Sequence, residues 1–362
     1  MTNMLSLTMV LLLAGILSTT VNTSSFVIAF HNGTPMTKRM ASKSARFASI
    51  IEAKIELSTG ITAQVLSSKP SNPTQQPPLV FVHGSFHAAW CWTEYYFPYF
   101  VELGYPVAAL SLRGTGGTFA GPGIKKVKIE DHAKDLQAFL QQLSHIVNSN
   151  TKPVLISHSF GGLAVMKHLE MHDAAADDLS GVVTMCSVPP SGNGPMTLRY
   201  LRRSLVDAWK ITAGFAMKKA IRDEGLCRDL FFGGQVSPHG TKDDFGVSSQ
   251  DVERYQSYFE RDTEAIIDLG DLVQRLPSKQ AIDGRAPHLK TFPPCLVVGA
   301  NRDFIVDQVA LEETSTYFGV DAPTIVDSPH DVMLGRNWKN GANAIDRFVQ
   351  DRVVNFITST CC

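Results

Sequence analysis

Residues 155–165, LISHSFGGLAV, form a hydrophobic run that is interrupted by a histidine, two serines and two glycines. Ser159 has a glycine two residues later, as in the G-x-S-x-G pattern that holds a nucleophilic serine on a sharp turn from a strand into a helix. Ser157 stands where that pattern has its first glycine and is a rival nucleophile by type, but only Ser159 has the matching spacing behind it. We therefore predict Ser159 as a nucleophile; the alternative is a polar loop between two buried elements.

A serine hydroxyl is a weak nucleophile unless a base accepts its proton, and that base needs an orienting acid. Asp303 directly follows one hydrophobic run, and His330 directly follows the next. Serine, aspartate and then histidine is one of the three chain orders in which such triads occur. His330 is the only one of the 11 histidines that follows Asp303. We predict His330 as the base and Asp303 as the acid, with Asp307 as the nearest rival acid.

Acyl transfer also needs backbone N–H groups directed at the negative charge that develops on the substrate oxygen. Phe160 follows the nucleophile and is predicted to supply one N–H group, while Ser85, after the pair His83-Gly84, supplies the other. The alternative for the second segment is an ordinary glycine turn. The side chains predicted to contact the substrate are Phe86, His87, Trp90 and His158.

These residues follow short buried segments that alternate with helical patterns. A hairpin pattern over residues 48–66 precedes six hydrophobic runs, at 79–85, 105–114, 152–159, 179–190, 293–301 and 322–330. Apolar residues at helical spacing occur at 129–147, 160–172 and 338–358. The alternation predicts an α/β fold with a mostly parallel sheet and helices on both faces. Active sites of such sheets form at the carboxyl ends of the strands, where the predicted residues lie.

The alternation stops between about residues 190 and 290, where two segments have helical character. We predict a core at 48–189 and 291–358, a helical cap inserted at 190–290 and a tail at 359–362. The cap and the segment after Ser85 contain the aromatic candidates for an apolar substrate pocket, with packing inside the cap as the alternative for most of them. These candidates are Trp90, Trp92, Trp209, Phe215, Phe231, Phe232, Tyr255, Tyr258 and Phe259.

The amino-terminal segment has a composition of its own. Residues 1–51 contain no Asp or Glu, and residues 5–21 form an apolar run about as long as the core of a signal peptide. The Ser/Thr-rich segment that follows carries Lys38, Arg39, Lys43 and Arg46. This two-part pattern resembles the presequence of plastid proteins in algae with secondary plastids. We predict that residues 1–47 direct the protein to a plastid; secretion or a retained membrane anchor are the alternatives.

Charge and cysteine usage argue against several classes of partner. The formal net charge is −1, and the chain has no long basic stripe, which argues against nucleic acid. The six cysteines are scattered, without a CxxC pair or histidines at metal-ligand spacing. We therefore predict neither a metal site nor a disulfide framework.

Four segments carry a family resemblance: FVHGSFHAAWCW, SHSFGGLAV, VVGANRDFIVD and SPHDVML. From about residue 50 to 358 the chain resembles the α/β-hydrolase superfamily and is similar to plant and algal lipase-like, methylesterase-like and chlorophyll-dephytylating members. The resemblance implies the α/β-hydrolase fold and hydrolysis of a carboxylic ester through an acyl-serine, with no cofactor.

Two differences separate the chain from other branches of that superfamily. Epoxide hydrolases and haloalkane dehalogenases have an aspartate at the nucleophile position, where this chain has Ser159. Hydroxynitrile lyases of this fold lack the oxyanion glycine and have a lysine after the catalytic histidine. This chain keeps Gly84 and has Asp331 after His330, which argues against a lyase.

Together, these observations predict a serine hydrolase that acts on a small, lipophilic ester, with the phytyl ester of chlorophyll or a plastid lipid as the leading substrates. We also expect a peripheral association with a membrane. The alternatives are other triad chemistry on the same fold, such as C–C bond hydrolysis, acyl transfer or cofactor-free oxygenation, or a catalytically silent ligand-binding protein.

Overall fold

The structure is a computed structural model that describes residues 49–72, 75–171, 178–216, 218–233 and 246–354. The chain divides into two units between Phe47 and Ala48, and the sheet and helices belong to the second unit. The presequence predicted at 1–47 and the tail predicted at 359–362 lie outside the described residues.

An eight-stranded sheet forms the centre of this unit. With strands numbered along the chain, the order across the sheet is β1 (Ile51–Glu56), β2 (Thr62–Ser68), β4 (Val107–Leu110), β3 (Leu79–Val82), β6 (Val154–His158), β7 (Gly181–Met185), β9 (Cys295–Arg302) and β10 (Thr324–Pro329). β1 and β2 form the predicted hairpin, and β2 is also antiparallel to β4, whereas the other neighbours are parallel. The predicted α/β class is confirmed.

The central strands are hydrophobic throughout because both of their faces are covered. Every residue of β3, β4, β6 and β7 is buried, which is why these segments show continuous apolar runs instead of alternation. The ring of Phe81 on β3 packs against Trp92 and three further aromatic rings, at centroid distances of 4.8–6.2 Å. Trp92 is thus part of the core beneath the sheet and not of a pocket.

Helices cover both faces of the sheet. Those of the core are α1 (Tyr96–Glu102), α2 (Ile129–Leu140), α3 (Leu143–Val147), α4 (Phe160–Met171), α10 (Gln308–Phe318) and α11 (Trp338–Phe348). The helix predicted over 129–147 is divided into α2 and α3. The final predicted helix ends as an α-helix at Phe348 and continues as a wider π-type turn, Val349–Val354.

Between β7 and β9 the chain forms the short helices α5 (Asn193–Arg203), α6 (Leu205–Ile211), α7 (Glu224–Cys227), α8 (Ser249–Arg261) and α9 (Leu269–Gln274). Ser204 separates α5 from α6 because its side chain caps α6, accepting a hydrogen bond from the N–H of Asp207 at 3.1 Å. A small parallel sheet of β5 (Lys126–Val127) and β8 (Ile266–Ile267) ties this region to the core.

Within the residues that the structure describes, none of the helices is both long and apolar enough to cross a membrane.

Candidate active site

The three residues of the predicted triad follow three parallel strands of one sheet. Ser159 lies between the end of β6 and the start of α4, Asp303 follows β9, and His330 follows β10. Because these strands are parallel, their carboxyl ends reach the same edge of the sheet, and residues 171 positions apart in the chain come into contact there.

The backbone at Ser159 is strained and held in place. Its φ of 52° lies in the left-handed region, which costs a residue with a side chain about 1–3 kcal/mol. Its N–H donates to the carbonyl of Met185 at 3.0 Å, and its carbonyl accepts from Gly162 and Val188 at 3.0 and 3.1 Å. The turn therefore presents the hydroxyl at the strand end, and the neighbouring strand β7 fixes the turn.

Two glycines allow α4 to begin close to the sheet. A Cβ atom on Gly161 would lie 2.5 Å from the carbonyl oxygen of His83, and one on Gly162 would lie 1.8 Å from Oγ of Ser187. Ser157, the residue in place of the usual first glycine, is fully buried, and its hydroxyl donates to the carbonyl of Val183 at 3.3 Å. The rival serine thus uses its hydroxyl within the sheet.

A chain of hydrogen bonds joins the three predicted residues. Nε2 of His330 lies 3.1 Å from Oγ of Ser159, and Nδ1 lies 2.9 Å from both carboxylate oxygens of Asp303. A carboxylate only accepts hydrogen bonds, so Nδ1 carries a proton and Nε2 is free to accept one from the serine. The N–H groups of Ile305 and Val306 donate to Asp303 at 2.7 and 2.9 Å and hold its carboxylate.

The rival acid has another role. Asp307 caps α10 through the N–H of Ala310 and accepts two hydrogen bonds from the guanidinium of Arg199, both at 2.6 Å. Burial raises the pKa of Asp307, but the hydrogen bond and charge of Arg199 outweigh burial, so that the pKa is lowered overall. Asp307 therefore anchors α5 to α10, while Asp303 faces His330.

The two residues predicted to form the oxyanion hole, Phe160 and Ser85, follow residues that lie at the Ser159 turn. Phe160 is the first residue of α4, so its N–H has no acceptor within the helix. Gly84 touches the turn, because a Cβ atom there would lie 2.7 Å from Cβ of Ser159. Ser85 follows Gly84 directly, and its assignment, like that of Phe160, stays a prediction.

His83 orients the peptide that carries the Ser85 N–H. Its Nε2 accepts a hydrogen bond from the N–H of Leu112 at 2.9 Å, so its proton is on Nδ1, which donates to the carbonyl of Gly84 at 2.8 Å. Burial lowers the pKa of His83 to about 4, which keeps the ring neutral. Since the Gly84 carbonyl and the Ser85 N–H belong to one peptide group, this hydrogen bond sets the direction of the donor.

An apolar cluster lies beside the triad. Phe86 has a φ of 68°, and its ring packs against Phe215, Phe231 and Phe259 at centroid distances of 5.2, 6.1 and 6.2 Å. The ring of Phe231 also lies 6.3 Å from that of His330. We call Phe86, Phe215, Phe231 and Phe259 the phenylalanine cluster.

The other aromatic residues predicted to line a pocket lie outside the phenylalanine cluster. Trp90 donates from Nε1 to Asp262 at 2.8 Å and stacks on Tyr255, with Tyr258 against its edge. Phe232 is buried inside the cap region. Trp209 does not line a pocket: it is 57% exposed, because it lies on the outer face of α6. This corrects its place among the pocket candidates.

The two histidines predicted to contact the substrate are buried within the site. The ring of His158 packs against that of His330 and donates from Nε2 to the carbonyl of His330 at 2.9 Å. Burial and, to a smaller extent, the nearby His330 lower the pKa of His158 to about 3, so the ring is neutral. His87 contacts Asp331 through Nε2 at 3.0 Å.

Three residues of the site were not predicted to have a role there. They are His83, Asp331 and Cys186. The Cys186 thiol forms a hydrogen bond with Asp303, and burial raises its pKa well above the usual value, so it stays protonated and donates. A position directly after β7 is the only sequence feature that could have indicated Cys186.

Among the residues that the structure describes, two groups of side chains have the atom types of metal ligands: Cys186, Asp303 and His330, and His158, His330 and Asp331. Both groups include His330, whose ring nitrogens already face Ser159 and Asp303. A metal ion on either nitrogen would replace the proton-transfer chain, so these residues fit proton transfer better than metal binding.

A model of the alpha/beta hydrolase family matches residues 79–339. Norfluorocurarine synthase 2 from Strychnos sp is 32% identical over 126 residues, which are 34% of this chain and 44% of that protein. Methylesterase 2 from Arabidopsis thaliana is 34% identical over 86 residues, which are 24% of this chain and 31% of that protein. The chain therefore matches less than half the length of these relatives.

Among solved structures, a bromoperoxidase from Bacillus anthracis superposes with a TM-score of 0.56 and 20% identity, over 84% of this chain and 100% of that chain. At this identity the superposition shows a shared fold. The family match spans the sheet from β3 to β10 and includes Ser159, Asp303 and His330. The chain belongs to the alpha/beta hydrolase family.

Proposed function

We propose that the protein hydrolyses carboxylic esters through an acyl-serine intermediate. The observation that carries this proposal is the hydrogen-bonded chain from Ser159 through His330 to Asp303, with the serine on a strained turn. The relatives named as methylesterases support ester hydrolysis as the reaction.

In the first half of this reaction, Oγ of Ser159 attacks the ester carbonyl while Nε2 of His330 takes the hydroxyl proton. Asp303 stabilises the resulting imidazolium, and the N–H groups of Ser85 and Phe160 stabilise the oxyanion. His330 then gives its proton to the departing alcohol. In the second half, Nε2 of His330 takes a proton from a water molecule that attacks the acyl-serine, and then returns it to Oγ of Ser159 as the acid leaves.

The reaction is tested with nitrophenyl esters of increasing chain length, on the wild type and on Ser159→Ala. We expect turnover by the wild type and a loss of about 10⁶-fold in kcat in the variant, as for other triads. Turnover that is unchanged in Ser159→Ala would show that another group performs the chemistry.

We place a lipophilic ester in the site because of the phenylalanine cluster. Four phenylalanine rings form this wall, and it reaches the ring of His330. Such a surface favours an apolar acyl or alcohol group over a charged one. The phytyl ester of chlorophyll and plastid lipids are the leading substrates. Incubation with chlorophyll, a galactolipid and short nitrophenyl esters tests this choice, and turnover of the short esters alone would exclude it.

Peripheral binding to a membrane is the second part of the proposal. Leu205, Val206 and Trp209 on α6 are 75%, 63% and 57% exposed. The ammonium of Lys219 lies 5.6 Å from the ring of Trp209, and Arg203 lies at the end of the preceding helix. Exposed apolar side chains with basic neighbours are typical of surfaces that dock on anionic lipids.

Vesicle sedimentation tests membrane binding. We expect binding to vesicles that contain anionic phosphatidylglycerol, and at least a fivefold loss for the variant Leu205→Ser/Trp209→Ser. Equal sedimentation of the variant and the wild type would contradict a role for α6. The matched control is Ile282→Ser, which removes an exposed apolar side chain elsewhere in the sequence.

The third part of the proposal is delivery to a plastid, which rests on the composition of residues 1–47. Fusion of these residues to a fluorescent protein in an alga with a secondary plastid tests it. Plastid fluorescence is expected, whereas fluorescence in the medium or at another membrane would favour secretion or a retained anchor.

A further inference from the structure

Both ring nitrogens of His87 face hydrogen-bond acceptors. Nδ1 lies 2.8 Å from the carbonyl oxygen of Ser85, and Nε2 lies 3.0 Å from Oδ2 of Asp331. A carbonyl oxygen only accepts, so Nδ1 carries a proton. The second proton is on Nε2 if Asp331 is a carboxylate, or on Asp331 if the pair is neutral.

The surroundings favour the charged form of this pair. Burial opposes a charge on either side chain, but their attraction and hydrogen bond outweigh burial, raising the pKa of His87 and lowering that of Asp331. Both directions agree with an imidazolium beside a carboxylate.

His87 lies at the end of the loop that approaches the nucleophile, residues 83–87, which we call the oxyanion loop. In this loop the carbonyl of Gly84 accepts from Nδ1 of His83, and the carbonyl of Ser85 accepts from Nδ1 of His87. Two successive peptide groups are thus each held by a buried imidazole. Phe86, between Ser85 and His87, has a φ of 68°, so the loop is strained and depends on these anchors.

Asp331 acts on this loop and not on the base. It follows His330 in the chain, but Nδ1 of His330 is occupied by Asp303 at 2.9 Å, while the Asp331 carboxylate contacts His87. The backbone N–H of Asp331 donates to the carbonyl of Phe231 at 3.1 Å, which fixes its position beneath the phenylalanine cluster.

We propose that His87 and Asp331 form a buried imidazolium–carboxylate pair that positions the oxyanion loop, so that the Ser85 N–H is directed at the oxygen that becomes negatively charged. This inference rests on the proposed ester hydrolysis. His87 and Asp331 are positioning residues, because they act through Ser85, and the hydrogen bonds of their side chains go to Ser85 and to each other.

The kinetic test compares kcat, KM and the affinity for a trifluoromethyl ketone, which adds to Ser159 and forms an oxyanion. His87→Ala releases the carbonyl of Ser85, in the peptide group next to the one that His83 holds, and Ser85 can then turn its N–H away from the oxyanion. We therefore expect kcat and ketone affinity to fall about 100-fold, the cost of losing one oxyanion donor. KM and the affinity for the alcohol product should change less than about threefold, because neither depends on the oxyanion. Equal loss of KM and kcat, or unchanged ketone affinity, would overturn the proposal.

Asp331 provides a pair of matched variants. Asp331→Ala leaves Nε2 of His87 buried without a partner, and we expect a loss close to that of His87→Ala. Asp331→Asn offers an amide N–H to Nε2 of a neutral ring, which keeps its Nδ1 proton for Ser85, so most of the activity should be retained. An asparagine variant as impaired as the alanine variant would contradict positioning through His87.

Tyr105→Phe is the control for stability. This change removes the hydrogen bond from Tyr105 to Asp346, which is 2.7 Å long. Tyr105 lies just before β4, at the end of the strands opposite to Ser159. We expect Tyr105→Phe to lower the melting temperature of the protein and to leave kcat and the affinity for the ketone unchanged.

The charge on His87 is read directly by ¹⁵N NMR of the folded protein at pH 7.5. We expect protons on both ring nitrogens in the wild type and on one in Asp331→Asn. A neutral ring in the wild type would overturn the ion pair. This reading needs no turnover, so it separates failure of the inference from failure of the proposed function.

Discussion

Ser157 shows how a single residue departs from the usual pattern without disturbing the turn. It occupies the position of the first glycine, and its side chain fits because it points at β7 and donates to Val183. The neighbouring Ser159 is 8% exposed and faces His330 instead. Two serines that are equivalent by type are thus separated by the direction of their side chains.

Replacement of Ser157 by glycine should therefore leave the chemistry intact. In Ser157→Gly we expect kcat to stay within about threefold of the wild type. The free energy of unfolding should fall by about 1 kcal/mol, since one buried hydrogen bond is lost. Steady-state kinetics and urea denaturation measure the two quantities. A drop of 100-fold or more in kcat would show that the Ser157 hydroxyl takes part in catalysis.

At the scale of elements, the approach of α4 to β3 fixes the position of the turn. Gly161 touches the backbone of His83 and Val82, and an added Cβ atom would lie 2.5 and 2.7 Å from their carbonyl oxygens. A backbone contact cannot be relieved by a change of rotamer, so the helix itself must shift.

Gly161→Ala should therefore lower both stability and activity. We expect about 1–3 kcal/mol of lost unfolding free energy, the usual cost of overpacking, and a fall in kcat because the Phe160 N–H moves with the helix. Urea denaturation and kinetics test this. Gly194→Ala on α5 is the control, because no atom lies within 4 Å of the added Cβ. Equal behaviour of the two variants would argue against the close approach of α4.

The elements that the sequence predicts are those with strong local patterns. All six hydrophobic runs become strands, and the four at the centre of the sheet are buried on both faces. α1 was not predicted: its run of aromatic residues has no helical period, and Pro98 lies in its first turn, where no hydrogen bond is lost. Strands β5 and β8 have only two residues each, too few to show a hydrophobic period in the sequence. They form because the segment between β7 and β9 pairs with the segment before α2.

The residues of the candidate site also fall into two groups, those that have a local sequence pattern and those that do not. Ser159, Asp303 and His330 were predicted because each follows a strand in a known order. The pairing of His87 with Asp331 was not, because the two residues are 244 positions apart and neither belongs to a local motif. Their hydrogen bond forms only because folding brings the loop after β3 next to the loop after β10.

For the whole molecule, buried neutral histidines predict a dependence of stability on pH. Burial lowers the pKa of His83 to about 4, and the pKa values of His132 and His158 to about 3. In the unfolded chain these histidines have pKa values of about 6.5, so below that pH the unfolded state binds more protons than the folded state.

Stability should therefore fall as the pH decreases from about 6.5 toward 4. Three histidines that each contribute about 1.4 kcal/mol per pH unit give a loss of about 3–4 kcal/mol between pH 6 and pH 5. Urea denaturation across this range measures it, and His132→Gln should reduce the slope by about a third. A slope that does not change in the variant would contradict a neutral, buried His132.

The central claim, that Ser159 is a nucleophile activated by His330, is tested most directly by a fluorophosphonate probe and mass spectrometry of the labelled peptide. We predict one phosphonyl adduct, on Ser159, formed in the folded wild type and in Ser157→Gly but lost in Ser159→Ala. Labelling should slow by several orders of magnitude in His330→Ala, which retains the hydroxyl without its base. An adduct on Ser157, or unchanged labelling of His330→Ala, would contradict the account.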